Sequence, residues 1–308
     1  MAHIYIYSPS GAVRDKAAFK RGVARLKKLG HEVELDANAL SRQTRFAGDD
    51  ATRLSAIQRA AASGADVAMI SRGGYGLTRI LPELPYKALA KSIDKGTQFV
   101  GLSDFTAFQN ALLAKTGAVT WAGPALGEDF GAEQPDDIME ACFDDMLSGQ
   151  GEGAGWRLSA ACVKAQTKTD GVWARDALLW GGNLTVLCSL LGTPFFPQVK
   201  QGVLFLEDVG EHPYRIERML TQLLHAGVLA QQKAIVLGQF TQYKLTPHDQ
   251  GFQMQSVVNW LRAHTKVPVL TDLPFGHVPT KVCLPVGQRV SLLVENRDAL
   301  LLWAHGSH

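Results

Sequence analysis

The opening third of the chain alternates short strand-like runs with helix-patterned stretches, and no other property of the sequence narrows the possible folds as much. Strand character appears at Ile4-Tyr5-Ile6-Tyr7 and over residues 31–35, 66–71 and 98–102, and helical patterning follows over about 15–29, 50–63, 86–93 and up to about 114. In the first helical stretch Phe19, Val23 and Leu26 share one face, while Lys16, Lys20, Arg21, Lys27 and Lys28 form a solvated charge run on the others. Gly30 is placed where a helix-ending glycine belongs. Parallel strands need crossover connections and cover on both faces, so repeated βα units predict a parallel sheet between layers of helices.

From about Ala132 the pattern changes. An acidic helical stretch over 136–147 is followed by Ser148-Gly-Gln-Gly-Glu-Gly-Ala-Gly155, which reads as a linker because glycine leaves the backbone unconstrained. The expected division is an N-terminal α/β domain at 1–147, a glycine-rich linker at 148–158 and a C-terminal domain at 159–308. The second half is mixed, with strand-like runs at 178–180, 203–206, 234–237, 290–294 and 300–303 and helices near 214–226 and 252–263.

Composition removes several classes of function. With 31 Lys plus Arg against 29 Asp plus Glu, the formal charge of +2 is too small to create a nucleic-acid-binding field, so no nucleic-acid partner is expected. The start of the chain has no basic leader, and no stretch approaches the roughly 20 apolar residues that span a bilayer, so the expectation is a soluble cytoplasmic protein without a membrane partner. Cys142, Cys162, Cys188 and Cys283 are far apart and form no C-x-x-C, which predicts reduced thiols. No H-E-x-x-H, dinucleotide glycine fingerprint or phosphate-loop motif occurs, so neither a metal nor a cofactor is expected.

Polar residues at strand ends are the candidates for chemistry, because α/β folds place their sites there. In Gly101-Leu-Ser103-Asp104 a strand turns directly into a helix, so Ser103 is either a nucleophile at a helix N-terminus or simply its cap. The turn Ser71-Arg72-Gly73-Gly74-Tyr75-Gly76 can offer backbone N–H groups to an anion, or be no more than a tight turn with a surface arginine. Glu207 and Asp208 close a strand that feeds a helix, where a carboxylate can orient a histidine or compensate the helix dipole. Among nine histidines, His277 is set apart by its stiff Pro-Phe-Gly-His-Val-Pro loop.

Together these segments resemble the LD-carboxypeptidase family of serine peptidases, the muropeptide carboxypeptidases, over nearly the whole chain. The resemblance is carried by Arg72-Gly-Gly-Tyr-Gly76, Gly101-Leu-Ser-Asp104, Trp180-Gly-Gly-Asn-Leu184, Leu206-Glu-Asp-Val-Gly-Glu211 with Tyr214-Arg-Ile-Glu-Arg-Met-Leu220, and Pro274-Phe-Gly-His277. It implies Ser103 as nucleophile, Glu207 and His277 as its triad partners, and an oxyanion hole from the backbone amides of Asp104 and Gly74. Motif position further suggests Arg72, Tyr75 and Asn183 as substrate contacts. Glu217 stands where the family pattern leads one to expect Asp. The implied fold is a parallel α/β domain plus a mixed, barrel-like α+β domain with the site at their interface. The implied reaction is removal of D-alanine from murein tetrapeptides during peptidoglycan recycling, by a homodimer. Two other functions are compatible with the same segments: a microcin-immunity hydrolase acting on peptidyl or aminoacyl nucleotides, and a non-catalytic protein binding an anionic ligand.

Overall fold

The computed structural model describes residues 1–165 and 170–303 and resolves them into two compact units. The first contains Met1–Gln150 together with Gly192–Pro197 and Pro279–Gly287; the second contains Gly151–Leu191, Gln198–Val278 and the chain from Gln288 onward.

The first unit is built on a six-stranded sheet in the order Leu284–Val286, Thr120–Ala122, Gln98–Gly101, Val67–Ile70, His3–Tyr7, Glu32–Leu35. The last five run parallel, and only Leu284–Val286 is antiparallel to its neighbour. Val67–Ile70 is buried at every position, as a strand covered on both faces must be. Helices Lys16–Lys28, Asp50–Ala62 and Asp137–Ser148 each start at an aspartate whose carboxylate accepts first-turn backbone N–H groups: Asp15, Asp49 and Asp136. Ile4, Ile6, Phe19, Leu26, Val67, Met69, Val100, Phe130 and Phe143 are part of one buried cluster, so the face read from Phe19 and Leu26 is the core face. The α/β reading of this half, with its parallel sheet, matches the structure.

The second unit has a seven-stranded sheet in the order Val269–Leu270, Ala234–Thr241, Val203–Val209, Gly171–Asn183, Arg289–Glu295, Asp298–Leu302, Gly153–Arg157. Its first four strands are parallel and the remaining pairs antiparallel, which makes it a mixed sheet. The pair order has two ends among the described residues, so the barrel-like form expected of this half is an open mixed sheet there. Part of the glycine-rich stretch 148–158 is strand: Gly153–Arg157 pairs with Asp298–Leu302, burying Ala154 and Trp156 and exposing the positions between. Helices Pro213–His225 and Met254–His264 bury Ile216, Leu220, Leu223, Val257 and Leu261. Among the described residues no helix is long and apolar enough to cross a membrane.

Candidate active site

Ser103 occupies the turn between strand Gln98–Gly101 and helix Phe105–Thr116, with φ of 66°. A non-glycine residue in this left-handed region carries about 1 kcal/mol or more of strain, which the surrounding contacts must hold in place. The helix N-cap is Asp104, not Ser103, and it makes no side-chain capping bond. The plain helix-cap reading of Ser103 is therefore wrong: the serine stands one residue earlier, in a conformation that a cap does not require.

The glycine turn explains what holds it. A Cβ added at Gly73 would lie 2.6 Å from Ser103 Cβ and 2.8 Å from Ser103 Oγ, so only glycine lets this backbone run against the serine. Gly74 and Gly76, with φ of 114° and 148°, are conformations closed to L side chains. The buried Asp104 carboxylate accepts hydrogen bonds from Ser10 Oγ and from the Leu77 amide at 2.9 Å, tying the turn that holds Ser103 to the end of the glycine turn. Burial pushes the Asp104 carboxyl up, against the opposing pull of those two bonds. From below, the fully buried Arg53 donates to Gly76 O at 2.7 Å and Pro9 O at 3.3 Å.

Arg72 and Tyr75 flank this turn differently. Arg72 Nη1 donates to Ala12 O at 3.4 Å, its Nε lies 3.7 Å from Glu128, and burial lowers its pKa while Glu128 opposes the shift. Tyr75 is exposed and leans on Phe46, ring centroids 5.8 Å apart.

In the second unit, Glu207 is completely buried in strand Val203–Val209. Pairing with Ala234–Thr241 slips between Leu206 and Asp208, a bulge of the kind that re-aims side chains at functional sites. Glu207 Oε2 lies 2.9 Å from His277 Nδ1, so the carboxylate and the loop histidine are directly paired. Gly276 has φ of 138°, and a Cβ there would be 3.0 Å from Gln239 O and 3.1 Å from Glu207 Oε2, which explains a glycine immediately before the histidine.

Asn183 is Glu207's partner in register on the neighbouring strand. Its Nδ2 donates to Glu207 Oε1 at 3.1 Å and to Asp208 Oδ1 at 3.0 Å, while its carbonyl oxygen accepts Val186 N at 3.1 Å and caps helix Leu184–Leu190. Motif position suggests Asn183 as a substrate contact; in the structure its Nδ2 is bonded to the Glu207 and Asp208 carboxylates. Asp208 also takes bonds from Thr185 N at 2.9 Å and Thr185 Oγ1 at 2.7 Å, and burial raises its pKa against them. Arg53, Ser10 and Thr185 drew no notice in the sequence, because the bonds that join them to Gly76, Asp104 and Asp208 span 23, 94 and 23 positions.

The contact between Gly73 and Ser103 yields a direct test. Gly73→Ala is expected to displace Ser103 and cut the rate of fluorophosphonate labelling by about 100-fold or more, since a misplacement of about 1 Å costs that much. Wild-type labelling in a folded Gly73→Ala protein would show that the contact does not set the serine's position.

A strained strand-end serine against a glycine turn and a buried carboxylate–histidine pair are the parts from which serine hydrolases are made. Residues 4–123 match the family model of the LD-carboxypeptidase N-terminal domain, and residues 176–292 that of its C-terminal domain. The crystal structure of muramoyltetrapeptide carboxypeptidase from Oxalobacter formigenes superposes with a TM-score of 0.87 at 38% identity, covering 98% of this chain and 99% of that one. A protein of Bacillus subtilis named probable murein peptide carboxypeptidase is 27% identical over 90% of this chain and 84% of its own. The microcin C7 self-immunity protein MccF, in complex with glutamyl sulfamoyl guanosine, shares the fold with a TM-score of 0.84 at 22% identity, covering 98% and 96% of the two chains. The chain belongs to the LD-carboxypeptidase family.

Proposed function

We propose that this protein is a serine LD-carboxypeptidase that hydrolyses the bond between the L-centre of meso-diaminopimelate and the terminal D-alanine of murein tetrapeptides. The observation that carries the reading is the buried Glu207–His277 pair at 2.9 Å. A buried carboxylate on Nδ1 selects the tautomer whose Nε2 accepts a proton, which is what a general base needs. In this reading the N-terminal domain supplies Ser103 and the C-terminal domain supplies Glu207 and His277.

Ser103 Oγ attacks the scissile carbonyl as His277 Nε2 takes its proton, and Glu207 stabilises the imidazolium. The Asp104 and Gly74 amides receive the negative charge on the carbonyl oxygen. His277 then gives the proton to the departing D-alanine amine, and water, deprotonated by the same imidazole, releases the acyl group from Ser103. Arg72 and Tyr75, beside the glycine turn, are the proposed contacts for substrate carboxylates. The step belongs to cytoplasmic peptidoglycan recycling, and the homodimer rests on family likeness.

The fold shared with MccF makes an acyl nucleotide the alternative substrate, and one comparison separates them. D-alanine release from L-Ala-γ-D-Glu-meso-diaminopimelyl-D-Ala is expected to exceed hydrolysis of an aspartyl adenylate by about 100-fold or more in kcat/KM, the discrimination reached when a site's polar groups match one substrate only. The reverse ranking would replace the murein substrate with the nucleotide and leave the catalytic residues as proposed.

A further inference from the structure

Immediately after His277 and Val278 the chain passes from the second unit to the first, and Pro279–Gly287 is packed as part of the first. Three interactions fasten this segment there. Thr280 Oγ1 donates to Asp136 Oδ2 at 2.6 Å, Lys281 Nζ meets Asp129 Oδ1 at 2.5 Å, and Leu284–Val286 pairs with Thr120–Ala122. Both charged side chains of the Lys281–Asp129 pair are 3% exposed. Burying an ion pair gains little net stability, because desolvation consumes most of the attraction, so the pair is better suited to fixing one arrangement than to holding the fold together.

What Asp129 is attached to gives the pair its meaning. It lies in a π-helical turn, Leu126–Phe130, and its second oxygen accepts Ala125 N at 2.7 Å. In the same turn Gly127 N donates to Ser71 O at 2.9 Å, and Glu128 faces Arg72. Ser71 and Arg72 lead directly into Gly73, the residue against Ser103. Short π-helical turns are rare and concentrate at functional sites. An unbroken series of contacts thus runs from Lys281, four residues after the histidine, to the turn that seats the serine.

We propose that the Lys281–Asp129 ion pair is a positioning pair: it fixes the segment that leaves His277 on the turn that leads to Gly73, and the triad proposed above depends on it. This rests on the triad reading above. Neither residue touches substrate; both act through His277. Loss of the pair therefore slows proton transfer without weakening substrate binding.

The test compares wild type with Lys281→Met, Lys281→Arg and the double variant Asp129→Leu/Lys281→Met, which removes both charges and leaves neither buried alone. Expected for Lys281→Met and the double variant is a fall of about 100-fold in kcat with KM within about threefold, and an equal fall in the rate at which a small fluorophosphonate labels Ser103. Lys281→Arg, which keeps the charge, should recover at least tenfold of that loss. Thermal melts identify the folded variants; where Lys281→Met does not fold, the double variant decides. A folded double variant with wild-type kcat and labelling rate overturns the positioning role and leaves the triad intact. A folded wild type that neither releases D-alanine nor labels overturns the triad, and the positioning role with it.

Discussion

Replacing Ser103 with alanine is expected to reduce D-alanine release by about 10⁴-fold or more and to abolish fluorophosphonate labelling, because in the mechanism proposed above no other group takes over the covalent step. The same position gives a second result of opposite sign. Ser103 is held at φ 66°, where a side chain costs energy and glycine does not. Ser103→Gly should therefore be equally inactive yet more stable, by about 0.5–1 kcal/mol in denaturant unfolding after the added freedom of the unfolded chain is set against the relief of strain. Conformational strain retained at the cost of stability is what the catalytic role proposed for Ser103 would explain. Wild-type activity in Ser103→Ala would mean that the nucleophile lies elsewhere. Unchanged or lower stability in Ser103→Gly would mean that the left-handed turn is not strained.

The parallel half of the fold was readable because its information is local. Each buried strand is a short apolar run, and three of the helices begin at an aspartate cap, Asp15, Asp49 and Asp136, features that need no knowledge of distant contacts. What escaped the reading depends on partners far away in sequence. Leu284–Val286 is three residues long and becomes a strand only by pairing with Thr120–Ala122. Lys281 and Asp129 are individually unremarkable charges until the fold brings them together across 152 positions. Helix Leu184–Leu190 is an apolar run too short for helical periodicity to separate from strand, and the cap at Asn183 that decides it also serves Glu207. In Gly153–Arg157 the count of glycines masked a period-two burial pattern at Ala154 and Trp156.

The candidate site divides along the same line. Gly101-Leu-Ser-Asp104 and the glycine turn were visible as strand ends, but that Gly73 touches Ser103 is a three-dimensional fact. Glu207 and His277 were each noticed separately from the residues and paired only by the family resemblance, while the fold brings their 70 positions of separation to 2.9 Å. Asn183 was noticed for its place in a motif, and only the fold shows that its Nδ2 bonds two carboxylates, Glu207 and Asp208, buried side by side.

Glu207→Gln should be nearly as damaging as loss of the serine, for a reason its near-identical size makes plain. Glu207 accepts on both oxygens, from Asn183 Nδ2 and at His277 Nδ1, and a glutamine has one oxygen for the two positions. If its NH2 turns to His277, the imidazole must carry its proton on Nε2 and can no longer accept one from Ser103. If it turns to Asn183, two NH2 groups oppose each other in the interior, with a cost of about 1–3 kcal/mol in stability. The first arrangement is expected to dominate, since the ring can change tautomer and Asn183 is fixed by Val186 and Asp208. The expected outcome is a fall of about 10³–10⁴-fold in kcat in a protein that still folds. Asp208→Asn provides the control, because it disturbs an adjacent buried carboxylate that is bonded to Thr185 and Asn183 but not to His277. It should lower stability by a similar amount and leave kcat within about tenfold of wild type. Equal losses of kcat in the two variants would reduce Glu207 to a structural carboxylate, and a tautomer-selective loss in Glu207→Gln alone would establish it as the residue that makes His277 a base.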